Sequence, residues 1–370
     1  MMRERAAQAR QLSGMVMDEE RIQNLPCETY PRPEECIFKW TRSLARHSNA
    51  PPLFLSQAMS FECLSRSPKK SNRGAVLAIP VGEGKTLISL LAGTVLRSQK
   101  VLLLVPASLK KQCHEDRTEW SKHYKVHPDI TVISYEKLSH KTGTHLLDSL
   151  RPDLVVMDEA HALASVKSAC TKRVLRYFRD YPKTKAVVMS GTLVQQSLTK
   201  YGHLVQLALR GDAPVPSSRS VRDRWEAVLN PNGEYTHNDW CQIRWLIGKE
   251  VPVESQRKEA QLAFRKRFQS APGIIVYTSP SQVNCSLLFS GWYPGSSPAI
   301  SEALNRLRKK WELPNGDLLA DALEYARAQK QLVLGFYYRW DWPNGPDQEW
   351  LDARRSWNAT VQRVIARGQA

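Results

Sequence analysis

The chain has 370 residues, with 53 Lys+Arg against 36 Asp+Glu for a formal net charge of +17, and it is 42% hydrophobic and 24% charged. That balance excludes a disordered polyelectrolyte, and no apolar run approaches the ~18 residues of a spanning helix. The excess of cations points to a polyanionic partner, since neutralising phosphates releases counterions; charge that serves only solubility is the alternative.

The opening MMRERAAQARQLSG carries charges with no apolar stretch behind it, so a soluble, cytoplasmic protein without membrane association is expected. Residues 1–50 read as a polar lead-in, with helical periodicity at FKWTRSLARH. From 51 to 210, short apolar runs alternate with helical stretches: AVLAI (75–79), VLLLV (101–105), ITVISY (130–135), LVVM (154–157) and AVVMS (186–190). Continuous Val/Ile/Leu runs of this length are strands covered on both faces, and their alternation with helices predicts a parallel α/β sheet. From 211 to 370 the chain reads as a mainly helical extension carrying nine of the eleven Trp residues, with strands expected only at GIIVYT (273–278) and LVLGFYY (332–338). Seven cysteines, Cys27, Cys36, Cys63, Cys113, Cys170, Cys241 and Cys285, are scattered and never in C-x-x-C spacing, which fits reduced thiols.

Three strand ends carry chemistry. After AVLAI comes PVGEGKT and then a helical pattern. In that order Gly82, Glu83 and Gly84 form a turn whose N–H groups can face phosphates, Lys85 places a point charge beside them, and Thr86 offers a hydroxyl to Mg²⁺. An ordinary glycine turn is the bland reading, and Ile79 stands where the full phosphate-loop pattern has its first glycine. LVVMDEAH ends a strand in two carboxylates, so that Asp158 can hold Mg²⁺ and Glu159 can polarise an attacking water; a capped loop is the alternative. VVMSGTL puts Ser190 and Thr192 at a third strand end.

In this order the motifs resemble the first RecA-like lobe of superfamily two helicases and translocases, nearest the Swi/Snf-type ATPases and their phage relatives. GAVLAIPVGEGKTLISL looks like motif I, KVLLLVPASLKKQ like motif Ia, VVMDEAHAL like motif II and SGTLVQQSLTKYGHL like motif III. The resemblance implies a RecA-like P-loop sheet with helices on both faces, binding ATP and Mg²⁺. It assigns Gln57 to the adenine side and Lys85 and Thr86 to the phosphates and Mg²⁺. Asp158 and Glu159 become the Mg²⁺ and water residues, and His161, Ser190 and Thr192 couple nucleotide state to nucleic acid. Ser108, Lys110 and Lys111 follow a strand where motif Ia touches the phosphate backbone; a solvated turn is their alternative.

The chain departs from the family at Ile79-Pro80-Val81, and at Leu193 where a Pro commonly follows SGT. No Q-x-x-G-R-x-x-R motif follows residue 280, so the arginine fingers of a second RecA-like lobe are expected in cis beyond the spacer-like Trp-rich tail or in trans. The reading is therefore half of a motor: the ATP-binding lobe of a DNA helicase or translocase, acting on double-stranded DNA in a bacterial or phage-infected cell. The alternatives are a non-catalytic nucleic-acid-binding protein that uses ATP as a conformational ligand, one subunit of a split motor, or a small-molecule P-loop kinase. The basic clusters Lys172/Arg173/Arg176/Arg179, Arg265/Lys266/Arg267 and Arg306/Arg308/Lys309/Lys310, beside Phe268 and Trp311, are candidate polyanion contacts or solvated helix faces.

Overall fold

The computed structural model describes residues 17–67, 72–191, 197–277, 297–319, 321–338, 345 and 347–368. Six strands form one sheet: β1 (Ala75–Ala78), β2 (Val101–Val105), β3 (Ile130–Ser134), β4 (Leu154–Met157), β5 (Lys185–Met189) and β6 (Ile274–Val276). Their order is β3-β2-β4-β5-β1-β6 and every pairing is parallel. The apolar runs read from the sequence fall on these strands, because only side chains that can be buried on both faces suit a strand covered on both.

The two-residue period of a strand divides that burial between two cores. Val76, Leu102, Leu104, Val155, Met157, Ala186 and Val188 face one core; Leu77, Leu103, Val105, Leu154, Val156, Val187 and Met189 face the other. The second core is closed by α1 (Pro33–Leu44), α2 (Leu55–Ser65), α3 (Lys85–Leu96) and α4 (Lys110–His123). In α1, Pro33 occupies a first-turn position that needs no N–H partner, Glu34 and Glu35 complement the helix dipole, and Cys36, Trp40 and Leu44 form a buried stripe at i, i+4, i+8.

The first core is closed by the short α5 (Tyr135–Ser139) and α6 (Leu146–Leu150), then α7 (Ala169–Asp180), α8 (Leu198–Leu209), α9 (Arg219–Leu229), α10 (His237–Ile243) and α11 (Val253–Ser270). Trp225 of α9 is 1% exposed; its ring lies 5.8 Å from that of Phe264 and its Nε1 donates to the Gln242 carbonyl at 3.0 Å. The compact unit that holds the sheet runs to residue 282, so α9 to α11, read from sequence as part of the extension, are packed on the sheet. β6, beside β1, is its last strand.

At the entry to β1 the chain passes so close to β5 that a Cβ on Gly74 would sit 1.7 Å from the Ala186 carbonyl oxygen. No other residue type fits there.

The second compact unit, from residue 283, contains α12 (Pro298–Lys310), α13 (Ala322–Val333) and α14 (Gln348–Gly368). Leu307, Leu319, Ala328 and Leu332 form its small core. The strand expected at 332–338 is not formed: Leu332 and Val333 end α13, and Gly335 at φ +82° turns the chain away. A glycine able to adopt this left-handed conformation is a helix stop, and it outweighs the β-propensity of the flanking residues. Among the described residues no helix is long and apolar enough to cross a membrane.

Candidate nucleotide site

The site is built at the carboxyl ends of β1, β4 and β5, adjacent strands at the centre of the sheet, where α/β folds place their ligands. After β1 the chain turns through Gly82 (φ +91°) and Gly84 (φ +70°, ψ +38°), and Gly84 caps α3, whose first residue is Lys85. These are backbone conformations that glycine adopts without steric cost, and they end the turn at a helix N-terminus, where unpaired N–H groups favour an anion. A Cβ on Gly82 would meet nothing within 4 Å, so this bend faces open space.

Lys85 is 8% exposed, and its Nζ lies 3.1 Å from Glu159 Oε1 and 3.4 Å from the Ile79 carbonyl. Glu159 itself has a left-handed backbone, φ 50° and ψ 50°, unusual for a residue with a Cβ. Its second oxygen, Oε2, lies 3.2 Å from His161 Nδ1, so both carboxylate oxygens have cationic or imidazole neighbours.

Asp158 is 6% exposed, and its Oδ1 accepts from the Glu159 N–H at 3.0 Å. Burial first, and the neighbouring Glu159 carboxylate second, push its pKa up to about 6, against the opposing pull of Lys85. A cation brought to this carboxylate pair would relieve that desolvation. No cluster of three or more metal-ligating side chains is present among the described residues. Mg²⁺ is commonly held by one or two carboxylates with phosphate oxygens and water completing the shell. The donor set of Lys85, Thr86, Asp158 and Glu159 beside a helix N-terminus therefore fits a Mg²⁺-nucleotide.

Gln57, on α2, is only 4% exposed: its Nε2 donates to the Gly84 carbonyl at 3.3 Å and its Oε1 accepts from the Phe54 N–H at 2.9 Å. It is thus tied to the turn and not to a solvated face. Ser190, fully buried, donates its N–H to the Leu77 carbonyl, and a Cβ on Gly191 would lie 3.6 Å from Lys85 Nζ. The β5 loop therefore reaches the lysine. Thr192 lies outside the described residues.

Ser108, Lys110 and Lys111 sit on the turn Ala107–Leu109 and the start of α4, at the carboxyl end of β2. Ser108 is exposed, and Lys111, with 90% of its side chain exposed, lies 3.7 Å from Glu115. The other basic clusters divide. Arg173 donates to the carbonyls of Leu138 and His140 and to the Thr144 hydroxyl, and Arg176 to Thr144 and Asp148. Arg267 holds the carbonyls of Ile22 and Leu25. These arginines tie the chain to itself. Phe268 is buried in the core, whereas Trp311 packs against Tyr325 with ring centroids 5.0 Å apart.

The sequence reading missed Tyr135, whose hydroxyl donates to the Asp158 carbonyl at 2.7 Å and fixes the β4 turn. The signal was present as the tyrosine that ends ITVISY. It also missed Ser56, which touches Glu83; one serine among several in LFLSQAMS carries no such mark.

A parallel sheet with a glycine turn and lysine after one strand and a carboxylate pair after another defines a RecA-like P-loop lobe. Residues 34–195 match the family described as "Type III restriction enzyme, res subunit", and the parallel sheet with its helices is that of a RecA-like α/β fold. The chain is 30% identical over 247 residues to the "Uncharacterized ATP-dependent helicase YqhH" of Bacillus subtilis, covering 62% of this chain and 41% of that one. It is 27% identical over 258 residues to the "Transcriptional regulator ATRX homolog" of Drosophila melanogaster, covering 55% of this chain and 19% of that one. The chain thus spans less than half the length of both relatives.

Proposed function

We propose that this chain is the ATP-binding lobe of a nucleic-acid-dependent ATPase of the DNA helicase or translocase type, working on double-stranded DNA in the cytoplasm of a bacterial or phage-infected cell. The observation that carries the reading is the convergence of Lys85, from the end of β1, with Asp158 and Glu159, from the end of β4 on the far side of β5, at the glycine turn. The distribution of charge supports a polyanionic partner: of the net +17, all but two charges lie in residues 1–282. The name of the Bacillus subtilis relative, an ATP-dependent helicase, points the same way.

In this reading the N–H groups of the Gly82–Gly84 turn and the α3 N-terminus cradle the phosphates, and Lys85 pairs with them. Thr86 and Asp158 hold Mg²⁺, which when bound neutralises phosphate charge and orients the reacting group. Glu159 takes the proton of the attacking water, for which it must free an oxygen now beside Lys85 or His161. His161, Ser190 and Thr192 relay the state of the site to the nucleic-acid surface, where Ser108, Lys110 and Lys111 meet the phosphate backbone. The boundaries expected from sequence, a lead-in to residue 50 and a catalytic lobe over 51–210, widen here to the sheet-bearing unit that ends at residue 282, and the chain from 283 serves as an extension toward a second RecA-like lobe, in cis or in trans, that supplies the arginine fingers.

The test is titration of a fluorescent ATP analogue with Mg²⁺ into the wild-type chain and Lys85→Ala. Binding lost in the variant is expected. Binding unchanged by the substitution would overturn the site assignment. A chain that binds ATP but hydrolyses none with DNA and a supplied second lobe would favour a conformational role for the nucleotide.

A further inference from the structure

We infer that Ser56 is a positioning residue that holds the Glu83 carboxylate on α2, out of the phosphate cradle. The inference rests on the nucleotide-site reading above. Glu83 lies between the two glycines of the turn, so the loop that gathers N–H groups for an anion also carries an anion of its own. A carboxylate on a flexible stem there is a competitor for Lys85 and for the turn's amides. In the structure it does not reach them. Ser56, fully buried near the start of α2, places its Oγ 3.0 Å from Glu83 Oε2 and 3.3 Å from the Glu83 carbonyl.

The hydroxyl is itself well placed to hold. Ser56 is the second residue of α2, whose N-terminal dipole favours a carboxylate. Its carbonyl accepts from Ser60 Oγ at 2.6 Å, within the helix. The next residue, Gln57, donates to the Gly84 carbonyl, and a Cβ on Gly84 would fall 2.2 Å from Gln57 Nε2. Two successive side chains of α2 therefore grip two successive residues of the turn: Gln57 fixes its backbone, and Ser56 fixes the charged side chain that the turn itself carries.

The test measures the affinity of mant-ATP with Mg²⁺ for the full chain carrying Ser56→Ala, Ser56→Thr, Glu83→Gln, or Ser56→Ala with Glu83→Gln, alongside Lys85→Ala. Ser56→Ala should weaken binding roughly three- to tenfold, the range of an ordinary hydrogen bond. Ser56→Thr, which keeps the hydroxyl, should bind as wild type. In the Glu83→Gln background the alanine should have no further effect, since the competing charge is gone; a loss of local packing would persist there. Unchanged affinity in Ser56→Ala, or an equal loss in both backgrounds, overturns the inference while leaving the nucleotide site intact. A wild-type chain that fails to bind, or binds as well as Lys85→Ala, defeats the nucleotide reading and this inference with it.

Discussion

The ammonium of Lys85, after β1, and the carboxylate of Glu159, after β4, stand 3.1 Å apart although β5 lies between the two strands, with Lys85 almost fully buried. In the proposed reading, the charge meant for phosphate is thus already paired, so a nucleotide would have to displace a carboxylate held by a charge-assisted contact and the free lobe would be stabilised at the expense of affinity. Glu159→Gln removes that competitor. The expected outcome is nucleotide binding roughly tenfold tighter than wild type, read by titration of a fluorescent analogue. Weaker binding would show that Glu159 contributes to the ligand more than it withholds from it.

Asp158 gives the metal-free lobe a pH dependence of definite sign. Its folded pKa, raised to about 6 by burial and by Glu159, exceeds the ordinary 3.8, so the folded state favours the neutral acid. The resulting stability is fully present below about pH 4 and lost as pH rises through about 6. Asp158→Asn should therefore be more stable than wild type at pH 8 by on the order of 1–3 kcal/mol, with the difference vanishing near pH 4. Denaturant unfolding in the presence of a chelator measures this. A constant difference across that window would contradict it.

Gly74 has no substitute. A Cβ there meets the Ala186 carbonyl at 1.7 Å, and backbone cannot swing aside as a side chain tip can. Gly74→Ala should lower stability by about 4 kcal/mol or more, the range of severe core disruption, or leave the chain insoluble. A melting curve within a degree or two of wild type would mean that β1 and β5 can separate without loss.

Trp225 tests the packing of α9 to α11. It contacts Trp245 and Phe264 and donates to Gln242, all within the core closed against the sheet. Trp225→Ala should cost about 3–5 kcal/mol. The loss should appear in the same cooperative transition as the unfolding of the sheet, followed by far-UV signal and by nucleotide binding together. Two separate transitions would indicate that these helices fold independently of it.

The strands were legible because a parallel strand buried on both faces has a composition that few other elements share, as VLLLV and LVVM illustrate. The turn was legible because its glycines are required by left-handed backbone. What escaped was set by tertiary proximity. Nothing local marks Ser56 as the partner of Glu83, or Tyr135 as the anchor of the β4 turn. Nor can spacing distinguish Arg173, absorbed by backbone carbonyls, from an exposed arginine of the same helix. LVLGFYY misled because its apolar run is split by a glycine that stops a helix.

The inward-facing arginines alter what the net charge of this protein means for a polyanion. Arg173, Arg176 and Arg267 have donors committed to carbonyls of their own chain, and Arg222 holds the carbonyls of Pro216 and Ser217. Cations whose donors are engaged in this way contribute less to counterion release from a nucleic acid, because those donors are not free for its phosphates. The slope of log affinity against log salt would then count only the exposed lysines and arginines of the binding face. It would report a far smaller charge than the formula assigns, and substitutions of the internal arginines would change melting temperature while leaving that slope untouched.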